Sequence, residues 1–417
     1  MLSSLVYHLK RPYHFLKTGV LNGIPAQLWY RNPQKKLKII AITGTDGKTS
    51  SSTLLYSVLK ANGKKVGLIS TVAAYLGDEE VDTGFHVTAP RPWDVFQLMR
   101  RMVKENYEYL VLETTSHGIY QYRTWGITPS IAGLTNITHE HLDYHLTYDN
   151  YVAAKALLFK RAATVVLNKD DHSFFKVKKL LSGHRDIEDY SLSEALSPLL
   201  AKTITQKFPE IYNQYNARLV TKIAEVVGLT DKEIVKGLKA FSGVKGRLQK
   251  VPNRLGFNIV VDFAHTPNAL EGVLTTLKSK NKVQSKPGKL IAIFGCAGLR
   301  DHQKRPMMAE IATRLADKVI FTAEDPRTED VWSIIRQMKE QLTPPAHRKI
   351  LSIVDRGEAI YFALTKIAQP GDWIAVLGKG HEHSMCYGTT EYPWNDVDAI
   401  NQMLPHIKKV THVTNTT

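Results

Sequence analysis

The stretch LKIIAITGTDGKTSSSTLLYSVLKA, residues 37–61, decides the fold because it joins a strand to a helix through a glycine-containing loop. Its first seven letters are a nearly continuous apolar run, which is typical of a strand buried on both faces. Gly44 and Gly47 let the backbone wrap closely around a phosphate, while the start of the following helix points N–H groups at the anion. The loop departs from the G-x-x-x-x-G-K-[ST] pattern, since position 42 is Ile rather than Gly. We therefore predict a shortened phosphate-binding loop.

The residues of this loop have predicted roles in holding a nucleotide. Lys48 places its ammonium group against the β- and γ-phosphates, and the Thr49 hydroxyl reaches a Mg²⁺ ion. The nucleotide-contacting residues that we predict in the loop are Gly44, Thr45, Asp46, Gly47, Lys48 and Thr49.

Strands and helices alternate along the chain in two series, which predicts α/β domains with mainly parallel sheets. The predicted strands are 37–43, 66–71, 109–112, 131–135, 164–167, 259–262, 290–294, 318–322, 350–354 and 373–377. The predicted helices are 49–61, 93–103, 151–160, 212–227, 231–241, 267–277, 305–315, 331–342 and 356–367. The segment GVKGR, residues 243–247, predicts a hinge between the two series. The predicted organisation is a basic arm at 1–36, a P-loop domain at 37–243 and a Rossmann-like α/β domain at 244–417.

Composition narrows the class of protein. The 417 residues are 43% hydrophobic and 23% charged, and no apolar run approaches the ~20 residues of a membrane span. Two isolated cysteines, Cys296 and Cys386, make neither a disulfide framework nor a zinc site, which favours the cytoplasm. The formal charge of +16 suits anionic substrates, a membrane surface or nucleic acid, but no nucleic-acid-binding motif is present. We predict anionic small-molecule substrates and no nucleic-acid partner.

The first 36 residues form a basic arm without a single Asp or Glu. A signal peptide would need a longer apolar centre and a small-residue cleavage site. Two roles remain open for the arm, peripheral contact with a membrane and packing on the first domain. Its basic residues are Lys10, Arg11, Lys17, Arg31, Lys35 and Lys36.

Polar residues follow several predicted strands, where ligands of an open α/β sheet bind. Glu113 ends a strand and offers the oxygen ligand that Mg²⁺ prefers. His141 lies in a histidine-rich segment, but the spacing matches no common zinc pattern and no cysteine is near. Lys155 lies in a predicted helix, where a lysine taken alone is most often solvated. In the second series, polar loops follow the strands that end at 262, 294 and 377, which predicts one cleft for an anionic substrate.

Taken together, residues ~37 to 400 resemble the Mur ligases, and most closely the MurE-type branch that adds the third amino acid of the peptidoglycan stem peptide. The resemblance implies ATP bound at the Gly44–Thr49 loop and two Mg²⁺ ions held by Thr49, Glu113, His141 and Lys155. It also implies that Lys155 is carbamylated by CO₂, which turns a cation into a carboxylate. Lys48, Glu113, His141 and Lys155 would then be the catalytic residues of an ATP-dependent acid–amino-acid ligase acting in cell wall biogenesis.

Further positions match the family residue by residue. Nucleotide-contacting positions are implied at Asn136, Asn216, Arg247, Asp262 and His265. Substrate-contacting positions are implied at Thr88, Ser116, Arg123, Arg300, Asp325, Arg327, Gly378 and Glu382.

The resemblance implies an acceptor and an amino acid. The acceptor is UDP-N-acetylmuramoyl-L-alanyl-D-glutamate, and the amino acid is meso-diaminopimelate or L-lysine, joined through an acyl phosphate. We predict that the enzyme acts as a monomer. Two departures leave alternatives open. Only ~36 residues precede the ATP domain where the branch carries a uridine-binding domain, so a related ligase of the Mur or folylpolyglutamate type with a non-UDP acceptor is the alternative. Glu324-Asp325 replaces the usual Asp-Asn, and a carboxylate at 325 prefers an amine.

Overall fold

The computed structural model describes residues 2–81, 91–138, 140–284 and 287–407. The chain divides into two compact units, Met1–Gly243 and Val244–Thr417. Each unit is built on its own sheet.

The first unit contains eight described strands. They are β1 Lys38–Thr43, β2 Val66–Ile69, β3 Ala74–Leu76, β4 Glu79–Val81, β5 Tyr109–Glu113, β6 Ile131–Leu134, β7 Thr164–Asn168 and β8 Ile187–Tyr190. They form one sheet in the order β4-β3-β2-β5-β1-β6-β7-β8. In this spatial order, all neighbouring strands in the part β2-β5-β1-β6-β7-β8 pair in parallel. Strands β3 and β4 extend the sheet beyond β2 through antiparallel pairs. Because β1 lies between β5 and β6, the loops that follow these three strands emerge side by side.

Helices cover this sheet on both faces, as two separate clusters of buried residues show. Leu54, Leu55 and Val58 pack the helix after β1 against one face, while Tyr151, Val152 and Phe159 pack a second helix against the other. The described helices of the unit beyond the arm are Lys48–Ala61, Pro92–Lys104, Ser116–Tyr120, Leu142–His145, Tyr148–Phe159, Phe174–Leu180, Pro198–Lys207, Ile211–Val227 and Asp231–Ala240.

The second unit contains a six-stranded sheet and a hairpin. Its strands are β9 Gln249–Val251, β10 Asn258–Asp262, β11 Leu290–Phe294, β12 Lys318–Phe321, β13 Ile350–Ser352, β14 Trp373–Leu377, β15 Ser384–Tyr387 and β16 Thr390–Pro393. The sheet order is β13-β12-β11-β14-β10-β9, with only β9 antiparallel. Strands β15 and β16 pair with each other. Its helices are Pro267–Lys282, Lys304–Leu315, Val331–Lys339, Pro344–His347, Arg356–Phe362 and Asp396–Met403.

The basic arm packs on the first unit. It is helical over Leu2–His14, π-helical over Phe15–Gly23 and helical again over Ile24–Trp29. The Tyr7 ring stacks on Tyr120 with 4.8 Å between ring centroids. No helix in the described part of the chain is long and apolar enough to cross a membrane.

The predicted α/β class and the mainly parallel sheets are confirmed. Strands at 290–294 and 373–377 have the predicted bounds, whereas the helix expected at 331–342 ends at Lys339 and the one expected at 267–277 continues to Lys282. The sequence prediction did not include β3, β4, β8, β9 or the β15–β16 hairpin, because short strands at sheet edges carry little apolar periodicity.

Candidate active site

The Gly44–Thr49 loop leaves β1 and is held by the segment that follows β6. The Asn136 carbonyl accepts a hydrogen bond from the Thr45 N–H at 2.8 Å, and its side-chain oxygen accepts one from the Asp46 N–H at 3.0 Å. Gly47 has φ +78°, and a Cβ there would overlap the Asn216 side chain. The loop is thus shaped by residues over 80 positions away in the chain.

The structure brings together Thr49, in the first turn of the helix that follows β1, and Glu113, at the end of the adjacent strand β5. The Thr49 hydroxyl donates to Glu113 Oε1 at 3.1 Å, and the Thr71 N–H donates to Oε2 at 3.1 Å. Lys48 donates to the Thr45 carbonyl at 2.7 Å, inside the same loop. A hydroxyl and a buried carboxylate beside a phosphate-binding loop are the donor set that suits Mg²⁺.

Lys155 lies on the helix Tyr148–Phe159 and is almost fully buried, with 1% of its surface exposed. Its ammonium nitrogen donates to the Gly44 carbonyl at 2.6 Å and lies 4.5 Å from the centroid of the Tyr151 ring. Burial, reinforced by the positive charge of Lys48, holds the pKa of Lys155 well below its usual value. Burial at this position therefore favours the neutral amine over the ammonium form.

Histidines form a cluster beside this helix. His141 has φ +57°, and its ring lies 4.6 Å from that of His117, centroid to centroid. His145 joins the cluster, and burial lowers its pKa to about 3, with further lowering from His117 and Lys155. Among the described residues, no three His, Cys, Asp or Glu side chains stand in an arrangement that holds a metal ion.

Ser116 and Arg123, the predicted acceptor-binding residues, lie on the loop and helix that follow β5. The Ser116 hydroxyl is 3.1 Å from His145 Nε2, and His145 Nδ1 is 3.1 Å from the Tyr7 hydroxyl of the arm. Arg123 donates to the Gln121 side chain at 3.1 Å. The predicted residue Thr88 lies outside the described residues.

Tyr7 and His145 are residues that the sequence analysis did not select. Along the chain, His145 is 29 residues from Ser116 and 138 residues from Tyr7. No sequence spacing marks such a contact. A buried polar pair between aromatic residues becomes visible only in the folded chain.

In the second unit, Asp262 at the end of β10 fixes the turn that carries Arg247. Its carboxylate accepts hydrogen bonds from the N–H groups of Leu248 at 2.6 Å and Ala264 at 2.8 Å. The Arg247 guanidinium lies 4.5 Å from the centroid of the Phe263 ring. His265 Nδ1 is 2.9 Å from the Phe263 carbonyl. Asp262 thus fixes the backbone next to Arg247 and next to His265, the two other predicted nucleotide-contacting residues of this unit.

The loops after β12 and β14 contact each other through Lys379. Its ammonium group is 2.8 Å from Asp325 Oδ1 and 2.5 Å from Glu382 Oε2. Although burial acts to lower it, these two carboxylates raise the pKa of Lys379. Arg327 donates to the Gly298 carbonyl at 2.9 Å. Four predicted amino-acid-binding residues, Asp325, Arg327, Gly378 and Glu382, are therefore neighbours, while Arg300 lies on the exposed loop after β11.

Glu324 is a further buried acid in this group. Burial raises the pKa of its carboxyl to about 8, although Lys304 and Arg356 act to lower it. Its Oε2 has no hydrogen-bond partner among the described residues, and a Cβ on Gly378 would overlap it. Glycine at 378 therefore leaves the space that the buried Glu324 carboxyl occupies.

Comparisons with known proteins identify the family of the chain. The sequence matches the model of the Mur ligase middle domain over residues 42–221 and that of the Mur ligase, glutamate ligase domain over residues 246–380. It is 34% identical over 404 residues to a UDP-N-acetylmuramoyl-L-alanyl-D-glutamate--2,6-diaminopimelate ligase of Clostridium botulinum, covering 92% of this chain and 81% of that protein. A protein of the same name from Parabacteroides distasonis is 38% identical over 376 residues, covering 86% and 76%.

Solved structures show the same fold. A UDP-N-acetylmuramoyl-L-alanyl-D-glutamate--2,6-diaminopimelate ligase aligns with a TM-score of 0.56 and 29% identity over 91% of this chain and 82% of that one. A folylpolyglutamate synthase of Mycobacterium tuberculosis, complexed with ADP and AMPPCP, aligns with a TM-score of 0.66 over 85% and 91%. Its 16% identity supports a shared fold and no more.

Proposed function

The chain belongs to the Mur ligase family and is an ATP-dependent amide ligase, and on this premise we propose that it adds meso-diaminopimelate to UDP-N-acetylmuramoyl-L-alanyl-D-glutamate. The observation that carries the proposal is the joint position of the Gly44–Thr49 loop, Glu113 and the buried Lys155. The names of the relatives supply the acceptor and the amino acid.

The proposed reaction has two steps. The acceptor carboxylate attacks the γ-phosphorus of ATP, the bond to the bridging oxygen breaks, and an acyl phosphate and ADP form. The amine of the incoming amino acid then attacks the activated carbonyl, loses a proton, and inorganic phosphate leaves. Lys48 faces the charge that spreads over the phosphoryl oxygens. The loop N–H groups hold the phosphates in line with the acceptor.

Two Mg²⁺ ions belong to this proposal. Thr49 and Glu113 would hold one, and His141 with carbamylated Lys155 would help hold the other. Mg²⁺ bound there would neutralise charge on the phosphoryl oxygens. The lowered pKa of Lys155 supports the carbamate, because only the neutral amine attacks CO₂ and releases a proton. The Gly44 carbonyl, 2.6 Å away, orients the nitrogen.

The amino-acid site suits a substrate whose far end carries both an amine and a carboxylate. Arg327 offers a guanidinium to the carboxylate. Asp325, Glu324 and Glu382 offer oxygens to an amine. L-Lysine would leave the guanidinium without an anion, which is why we propose meso-diaminopimelate ahead of it.

We also propose that the chain works as a monomer in the cytoplasm, with its arm in contact with a membrane surface. Cys296 and Cys386 form no disulfide in the described part of the chain, which supports a reducing compartment.

ADP release over a panel of amino acids tests the ligase proposal. With UDP-N-acetylmuramoyl-L-alanyl-D-glutamate present, we expect release only when meso-diaminopimelate is added as well. Faster ADP release with L-lysine than with meso-diaminopimelate would make L-lysine the proposed amino acid. Equal turnover of acceptors with and without the UDP group would favour the alternative class of acceptor. Steady release with acceptor alone, indifferent to every amino acid, would contradict the proposal.

A further inference from the structure

From Leu16 to Trp29 the arm buries its smallest residues and exposes most of its large apolar ones, whereas Tyr7 in its first helix is buried. Gly19, Gly23 and Ala26 are buried against the first unit. A Cβ on Gly19 would stand 3.4 Å from the Trp125 ring, so the helix approaches that indole closely. Surface helices of globular proteins ordinarily bury their large apolar side chains and expose polar ones. The arm therefore leaves an apolar face uncovered.

This outer face carries exposed apolar side chains from Leu9 to Trp29. Trp29 is 75% exposed and Leu28 is 64% exposed, so most of each side chain is in contact with water. We call the set the outer stripe, and it consists of Leu9, Tyr13, Leu16, Leu21, Ile24, Leu28 and Trp29.

Helix geometry keeps the outer stripe on one side. A step of four residues places Leu9 and Tyr13 on one face of the first helix, and a step of four places Ile24 and Leu28 on one face of the last. Leu16 follows Tyr13 by three residues, in the π-helical segment that continues the first helix. The step of five from residue 16 to residue 21 falls within the π-helical segment, where hydrogen bonds run from i to i+5. The wider turn of the π-helix therefore keeps Leu16 and Leu21 on the same side of the arm.

Charge identifies what covers the stripe. All six Lys and Arg residues of the arm, the basic set defined above, are exposed, and no acid lies among the first 36 residues. A second copy of the arm would bring like charges face to face, which opposes self-association. An anionic bilayer accepts the apolar side chains at its headgroup boundary while its lipid phosphates attract the basic residues. Trp29 at the end of the stripe suits the membrane interface.

We propose that the outer stripe and the exposed basic residues of the arm dock the protein on an anionic phospholipid surface. The arm lies flat in this arrangement, because its described helices are too short and too polar to cross the bilayer. Tyr7, on the same arm, contacts His145 beside Ser116, so the docked element also borders the proposed acceptor site. The inference deepens the proposed membrane contact and does not depend on which amide bond the enzyme makes.

Vesicle co-sedimentation of the full chain tests this inference. We expect binding to vesicles of phosphatidylglycerol and phosphatidylcholine, little binding to phosphatidylcholine alone, and loss of binding as salt rises. The triple variant Lys10→Gln, Lys17→Gln, Lys35→Gln should bind about a hundredfold more weakly, at ~1 kcal/mol for each charge. The triple variant Leu16→Gln, Leu28→Gln, Trp29→Gln should lose binding at least as strongly, since it removes the inserted area.

Matched variants on other surfaces supply the controls. Phe175, Val283 and Trp332 are exposed apolar residues outside the arm, and their replacement by Gln should leave vesicle binding unchanged. Replacing the exposed Lys202, Lys236 and Lys366 by Gln controls for the loss of three charges. Binding that the arm variants leave intact would overturn the inference, as would equal binding to uncharged vesicles.

Two further measurements separate this inference from its rivals. Sedimentation velocity that shows a dimer dissociated by the Leu16, Leu28 and Trp29 variant would assign the stripe to a second copy and overturn the inference. ADP release in vesicle-free solution should be the same for the arm variants and the parent chain. Failure of the amino-acid panel would contradict the ligase proposal and leave the vesicle result standing.

Discussion

At the scale of single residues, burial changes what a side chain can do. Lys155 has the sequence context of a solvated helical lysine, yet the fold buries it against the Gly44 carbonyl and lowers its pKa. Glu324 changes in the opposite sense, since burial raises its pKa to about 8 and favours the neutral acid at pH 7. Both shifts disfavour the charged form. Neither can be predicted from the residue's neighbours in the chain.

Replacing Lys155 by Ala tests its role directly. We expect kcat for ADP release to fall by about a hundredfold to a thousandfold, because charge that develops on the phosphoryl group loses a ligand-bearing side chain. Added formate or acetate should restore part of the activity by occupying the carboxylate position. Lys160→Ala is the matched control, since Lys160 follows the same helix and is exposed. Full activity of the Lys155 variant would exclude the carbamate.

At the scale of elements, the phosphate-binding loop is shaped from outside itself. Asn136, which follows β6, accepts hydrogen bonds from the two N–H groups at Thr45 and Asp46. Asn216, on the helix Ile211–Val227, accepts one from Ser51 at 3.1 Å and closes the space beside Gly47. The family resemblance marked both residues as nucleotide contacts. The structure places them against the loop, where they also set its shape.

A pair of glycine variants separates loop shape from backbone strain. Gly47 and Gly63 have similar φ values, +78° and +72°, but only Gly47 lacks space for a Cβ. Each change to Ala should lower the free energy of unfolding by about 1 kcal/mol through its left-handed backbone. Gly47→Ala should in addition raise the KM for ATP at least tenfold, because the Asn216 side chain must move. Equal KM values in the two variants, measured by ADP release, would show that the contact is unimportant.

At the scale of the whole molecule, each unit presents its polar loops at the carboxyl edge of a parallel sheet. In the first unit these loops follow β1, β5 and β6, and in the second they follow β10, β11, β12 and β14. Neighbouring strands bring residues distant in the chain to one edge, as with Asp325 and Lys379. Each unit therefore gathers its own group of residues, and we propose phosphate chemistry for the group in the first unit and amino-acid binding for the loops after β12 and β14 in the second.

The oligomeric state is a prediction at this scale. Sedimentation equilibrium without vesicles should give the mass of one chain, 47.0 kDa, at micromolar concentration. Mutual repulsion of the basic arms supports this outcome, as the formal charge of +16 also opposes association. A mass of twice that value would contradict the monomer.

The sequence by itself determined the strand–loop–helix series, the phosphate-binding loop and the family. These features follow from local order: apolar runs of strand length, glycines at fixed positions and motifs in a constant succession. Tertiary structure alone decided that Lys155 is buried, that Tyr7 of the arm reaches His145, and that Lys379 lies between two carboxylates. It also decided that most large apolar side chains of the arm from Leu9 to Trp29 are exposed. Burial and contact depend on what the rest of the chain places around a residue, and no local pattern contains that information.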